Sequence, residues 1–185
     1  PGSVVPVPLL PQGIPADTPL SAVAVGHSHT CVLFEGGQAL CWGDNFYGQL
    51  GQGNTTTIGD DETLATLFPI DLGGDATQLV TGRQHTCALL ENGDVKCWGR
   101  NLYGQLGLGD IAHVGDDEVP ADVESIDLGG PAETITAGDY HTCALLDQHE
   151  ILCWGFNDYG QLGYGDTLLR GDDETPRDAG PVPVL

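Results

Sequence analysis

The cysteines set the strongest constraint on what this chain can fold into. Cys31, Cys87 and Cys143 are spaced 56 residues apart, and Cys41, Cys97 and Cys153 repeat the interval. Trp42, Trp98 and Trp154 keep the same register. So do His29, His85 and His141 in His-Thr-Cys, Tyr47, Tyr103 and Tyr159 in Tyr-Gly-Gln-Leu-Gly, and Gly59, Gly115 and Gly171 in Gly-Asp-Asp-Glu. A period of this kind marks an array of supersecondary units, each too small to bury its own apolar faces and stable only against its neighbours. Residues 18–185 hold three whole units, with a proline-rich lead at 1–17 and repeat motifs opening at 26, 82 and 138.

Within the second unit, β-type runs at 70–72, 78–81, 86–90 and 95–98 are separated by turn residues. With 28 glycines and 12 prolines in 185 residues, long helices are excluded. Four short strands per unit predict an all-β fold, a β-propeller of four-stranded blades in which each blade covers the next. No run is long enough for a membrane helix.

Charge narrows the function classes. Asp plus Glu number 27 against 5 Lys plus Arg, a net charge of −22, and the basic residues Arg83, Lys96, Arg100, Arg170 and Arg177 form no run. Nucleic acid and anionic lipid are held by clustered Lys and Arg, so neither is an expected partner. Cations or a basic protein suit this surface better. The chain has no methionine, so it is expected to be a processed or excised polypeptide.

The second unit also carries Gly82-Arg-Gln-His-Thr-Cys-Ala-Leu-Leu, Asn92-Gly93, Cys97-Trp98-Gly99, Asn101 and Tyr103-Gly104-Gln105-Leu106-Gly107. This pattern resembles the regulator of chromosome condensation repeat, and its three copies cover nearly the whole chain. The resemblance implies a β-propeller, most often of seven blades, with protein binding as the shared theme. The family includes a nucleotide exchange factor for a small GTPase and a secreted bacterial inhibitor of β-lactamases. Two features depart from the general pattern: the long period and the paired cysteines, which are closer to disulfide-containing secreted bacterial members. No added exchange loop and no basic segment support an exchange or chromatin role.

Cys87 and Cys97 flank a hairpin whose turn is Glu91-Asn92-Gly93, with glycine at the left-handed position. Pairing Leu90 with Asp94 sets Cys87 opposite Cys97, within disulfide reach. The same arithmetic joins Cys31 to Cys41 and Cys143 to Cys153, where His149 must accept left-handed geometry. The competing metal site lacks the close spacing of zinc knuckles. Three disulfides imply an oxidising compartment, so the expected location is extracellular or the cell surface.

The recurring Trp is read as filler between blades. His29, His85 and His141 either satisfy groups within the strands or converge as metal ligands. Asp60, Asp61 and Glu62, with Asp116, Asp117, Glu118, Asp172, Asp173 and Glu174, offer three carboxylates per loop to a hard cation such as calcium, against the reading of a solvated loop opening the next blade. No other cofactor is expected. Gly104-Gln-Leu-Gly-Leu-Gly is a turn present in every unit rather than a phosphate loop. Asn54-Thr55-Thr56 is an acceptor sequence for glycosylation. No nucleophile with its base stands out, so no enzyme is expected.

Positions that differ between copies while the scaffold repeats are candidates for partner contact: His27, Arg83, Asp139 and Tyr140 after the repeat glycine, and Phe46, Arg100, Leu102 and Phe156 after Trp-Gly. The expected function is a non-catalytic extracellular protein-binding or adhesion scaffold, with a calcium-stabilised surface protein as the alternative. Three blades leave a propeller open. Either two chains close six blades head to tail, or the chain is a piece of a longer propeller. Val7-Pro8-Leu9 echoes Val182-Pro183-Val184, which suggests strand exchange between copies.

Overall fold

Residues 11–184 are described by a computed structural model. Among them, nine strands form three antiparallel sheets of identical order. The first contains β1 (Leu20–Val25), β2 (His29–Phe34) and β3 (Ala39–Gly43). The second contains β4 (Ala76–Thr81), β5 (His85–Leu90) and β6 (Val95–Gly99). The third contains β7 (Ala132–Ala137), β8 (His141–Leu146) and β9 (Ile151–Gly155), and a single-turn helix α1 (Pro176–Ala179) follows it. The first strands β1, β4 and β7 lie side by side in sequence order.

The hairpins follow from their turns. In the second unit Leu90 N–H donates to the Asp94 carbonyl at 2.9 Å and Gly93 takes φ 86°. That register puts Cys87 opposite Cys97. The pairs Cys31–Cys41, Cys87–Cys97 and Cys143–Cys153 are disulfides, each with Cα atoms 4.1 Å apart. In the third hairpin His149 occupies the left-handed region at φ 65°.

The fourth run of each unit is not a ladder strand. Ile70, Ile126 and Val182 each donate one backbone bond, to the carbonyls of Ala39, Val95 and Ile151, at 2.9, 3.0 and 2.8 Å. Residues 70–72 therefore lie along β3 of the preceding unit, not within their own. Pro69 has no N–H to give, and the Asp71 carboxylate turns the chain by accepting from Gly73 N–H at 3.1 Å. Val182 occupies the corresponding place beside β9, whereas Val7, Pro8 and Leu9 fall outside the described residues.

The core runs continuously through the units and includes Leu33, Leu50, Leu79, Val95, Trp98, Leu106, Ile135 and Trp154. It is stitched by buried polar groups. Asn101 is fully buried: its Oδ1 accepts Leu106 N–H at 2.9 Å and its Nδ2 donates to the Asp110 carbonyl at 2.9 Å. Asn45 and Asn157 repeat the clamp on Leu50 and Leu162. This fixes the Tyr-Gly-Gln-Leu-Gly turn in each unit and so aims its tyrosine.

Candidate functional site: an arginine and tyrosine face

Rigid junctions between units bring the variable positions together. The Gln49 carbonyl accepts both Thr86 Oγ1 at 2.9 Å and Trp98 Nε1 at 3.0 Å from the next unit. The Gln105 carbonyl accepts Thr142 Oγ1 and Trp154 Nε1, each at 3.0 Å. The turn of one unit is thereby tied to the hairpin of the next, and residues far apart in sequence share one face.

At the centre of that face is Arg100. Its Cζ lies 5.3 Å from the Tyr47 ring centroid, 5.4 Å from Tyr103 and 5.3 Å from Tyr140, so one guanidinium meets a tyrosine from each unit's edge. Its Nη1 donates to Gln84 Oε1 at 2.8 Å, while its buried Nε has no hydrogen-bond partner among the described residues. Arg83 sits over Tyr140 at 5.8 Å. Phe156 joins through Tyr103 at 5.0 Å and Tyr140 at 6.2 Å, with Tyr159 at 6.0 Å beyond it. Each such cation–π contact contributes about 0.5–1 kcal/mol when exposed, and three of them act on the one half-buried Arg100 guanidinium.

Of the variable positions, Arg83, Arg100, Tyr140 and Phe156 converge. Asp139 stands beside them, lining a cleft of about 450 Å³ with Tyr140, His141, Phe156, Tyr159 and Gln161. Phe46 flanks the cluster, edge-on to Tyr47 at 4.9 Å and 71% exposed. Leu102 is exposed next to Tyr103. His27 lies apart, in a cleft of about 270 Å³ at the ends of β1, β4 and β7. Tyr47, Tyr103 and Tyr159 belong to this candidate face, and the variability argument passes over them because they repeat in every unit. Their signal is chemical: a tyrosine after a polar turn presents a broad ring at the surface.

The histidines belong to the junctions. His29 Nε2 meets Thr86 Oγ1 at 2.8 Å, and His85 Nε2 meets Thr142 Oγ1 at 3.0 Å. Burial lowers the His29 pKa to about 4, against the opposing pull of Asp44, and lowers that of His85 to about 3. Neutral imidazoles that each bond a threonine are structural linkers here.

In each Gly-Asp-Asp-Glu loop the three carboxylates bring one oxygen apiece within 4.8 Å of one another. Partial burial and the neighbouring Asp173 raise the Glu174 pKa to about 7, with Arg170 pulling the other way. Arg170 lies 3.8 Å from Glu174 and 2.8 Å from Asp166, so the third loop already contains a cation. The backbone of the loop is also a packing element: Asn54 N–H donates to the Gly115 carbonyl at 3.1 Å and Gly109 N–H to the Gly171 carbonyl at 3.2 Å, across unit boundaries.

Comparison with known proteins extends this description. The chain is 35% identical over 152 residues to a probable E3 ubiquitin-protein ligase, HERC4, of Homo sapiens, covering 82% of this chain and 14% of that protein. It is 34% identical over 148 residues to the ultraviolet-B receptor UVR8 of Arabidopsis thaliana, covering 80% of this chain and 32% of the receptor. The chain thus spans a third or less of these relatives. Among solved structures, Prp20p of Saccharomyces cerevisiae superposes with a TM-score of 0.64 at 20% identity, over 84% of this chain and 38% of Prp20p. Human WBSCR16 gives 0.61 at 19% identity, over 88% of this chain and 41% of its own. Prp20p was characterised for its binding to Gsp1p and histones. The sheets and junctions above are therefore consecutive β-propeller blades. One model of the regulator of chromosome condensation repeat matches residues 36–89, 92–145 and 148–184, and a second matches 21–49, 76–105 and 133–161. With that pattern over most of its length, the chain belongs to the regulator of chromosome condensation (RCC1) repeat family.

Proposed function

We propose that this chain is a non-catalytic, extracellular protein-binding scaffold whose contact face is the cluster around Arg100. The carrying observation is the convergence of Arg83, Arg100, Tyr47, Tyr103, Tyr140 and Phe156 on a rigid frame. Arginine and tyrosine dominate binding energy at protein interfaces, and rings held by neighbours lose little freedom on docking. The binding of Gsp1p and histones by the structurally similar Prp20p supports a protein as the partner class. Disulfides in all three units favour an oxidising, extracellular setting. In this reading the frame is completed by further units of the same repeat.

The experiment is affinity capture from the extracellular medium of the source cells, comparing the natural chain with Arg100→Ala and Tyr140→Ala. The expected result is a protein retained by the natural chain and weakened at least about tenfold by either substitution, as for interface anchors. Retention unchanged by both substitutions, with melting temperatures preserved, would move the contact face elsewhere.

A further inference from the structure

The loop after each Tyr-Gly-Gln-Leu-Gly turn is built alike in the three units, and one residue in it changes chemistry. The Asp110 carboxylate accepts the Ala112 N–H at 2.9 Å, and the Asp166 carboxylate accepts the Leu168 N–H at 3.0 Å. In the first unit that place is taken by Asn54, whose Oδ1 accepts the Thr56 N–H at 2.8 Å. The turn needs only this acceptor oxygen. The amide nitrogen is therefore an addition that the shared fold does not require, and Nδ2 donates only to the Gln52 carbonyl, at 3.1 Å. The backbone beneath it is fixed: the Asn54 carbonyl accepts from buried Asn45 Nδ2 at 2.7 Å, and its N–H donates to the Gly115 carbonyl of the next unit at 3.1 Å.

Asn54, Thr55, Thr56 and Thr57 are all exposed and lie outside the sheets. In the second unit, which has a neighbour on either side, Asp110, Ile111 and Ala112 are exposed as well, so the openness belongs to the loop itself. Of the five asparagines, Asn45, Asn101 and Asn157 are fully buried clamps. Asn92 is exposed but is followed two residues later by Asp94, where an acceptor sequence needs a hydroxyl. Asn54 alone combines an exposed amide with a hydroxyl residue two places on and no proline between them.

We propose that Asn54 carries an N-linked glycan, added by a transferase of the secretory pathway; the inference rests on the extracellular reading above. In the transfer, Asn54 Nδ2 forms a bond to the anomeric carbon of a polyprenyl-diphosphate-linked oligosaccharide. The bond from that carbon to the diphosphate oxygen breaks, the diphosphate departs with the electron pair, and a proton of Nδ2 passes to a base of the transferase. The product is still an amide, so Oδ1 goes on accepting the Thr56 N–H and the turn survives the modification. The glycan leaves toward solvent from a loop whose backbone is held by Asn45 and Gly115, and it competes only with the surface bond to Gln52. A bulky, solubilising group is thus accommodated with no buried contact disturbed.

The test is mass spectrometry of the chain purified from the medium of its source cells, before and after a glycoamidase that releases the sugar and converts Asn54 to aspartate. Run in heavy-oxygen water, the reaction labels the converted residue. The expected result is the loss of one glycan mass, with the label confined to Asn54. Two variants serve as controls. Asn54→Asp installs the carboxylate that Asp110 and Asp166 already use in the same turn, so it folds, as melting will check, and loses the glycan. Thr56→Ser keeps the hydroxyl and keeps the glycan. A secreted chain with all cysteines oxidised and Asn54 unmodified, or a glycan mass that persists in Asn54→Asp, overturns the proposal and leaves the scaffold reading standing. A chain found only inside the cell, with reduced cysteines, overturns the extracellular reading and the glycan with it. A glycosylated chain that captures no protein upholds the site and overturns the binding reading instead.

Discussion

His85 shows how much chemistry a single repeated position carries. Thr142 Oγ1 donates its proton to the Gln105 carbonyl at 3.0 Å, so the His85 Nε2 facing that hydroxyl must be the donor. The ring is thus the neutral tautomer with a bare Nδ1, which has no partner among the described residues. Charging it would bury an N–H without an acceptor, and burial accordingly lowers its pKa to about 3, with His29 and His141 adding repulsion. His29 follows the same logic at about 4. Both folded-state values lie below the ordinary 6.5, so the stability these rings contribute is present above pH 6.5 and is lost as pH falls toward 4 and 3. Melting temperature should decline steeply across that window. His85→Gln keeps an N–H donor but does not titrate, so it should flatten the decline. The repeat makes His-Thr-Cys conspicuous in the sequence, yet not this linkage, because His85 and Thr142 are 57 residues apart and meet only once two units dock.

Each hairpin is legible from its residues because a short turn fixes the register, and the register alone determines that the cysteines face each other. A disulfide closing so short a loop contributes about 2–3 kcal/mol by the loop-entropy account. The double substitution of Cys87 and Cys97 by Ser should therefore lower unfolding free energy by about that amount in a denaturant titration. The fourth run was less legible: an apolar Ile-Asp-Leu reads as a strand, whereas Pro69 and the Asp71 turn limit it to one bond with the preceding unit. The Gly-Asp-Asp-Glu loops are ambiguous in sequence for a related reason, since carboxylates suit a cation and a solvated turn equally well. In the second and third loops the Gly115 and Gly171 carbonyls are also packed across unit boundaries. Glu174, with its folded-state pKa raised to about 7, contributes stability that is full below 4.5 and is lost as pH rises through 7. This opposes the histidines over part of their window, and Glu174→Gln should remove it. Melting should be the same with chelator as with added calcium; a clear rise with calcium would revive the cation reading.

The molecule as a whole carries a charge of −22, yet two of its five basic side chains, Arg83 and Arg100, lie together on the aromatic face. The period and the family pattern make the array of units readable in advance, while the face itself emerges only from unit-on-unit packing that sets Tyr47, Arg100 and Tyr140 around one point. Long-range field and local contact then have separable kinetic consequences. On the proposed reading, a surface this acidic would draw a basic protein from a distance, an effect that salt screens. The proposed tyrosine and arginine anchors would act after contact, where desolvated stacking governs dissociation. Binding kinetics of the captured partner, followed at rising ionic strength, should therefore show an association rate that falls with salt. Tyr140→Ala should instead raise the dissociation rate and leave the salt dependence of association in place. An association rate indifferent to salt would mean that the partner is not basic, and the net charge would then serve solubility alone.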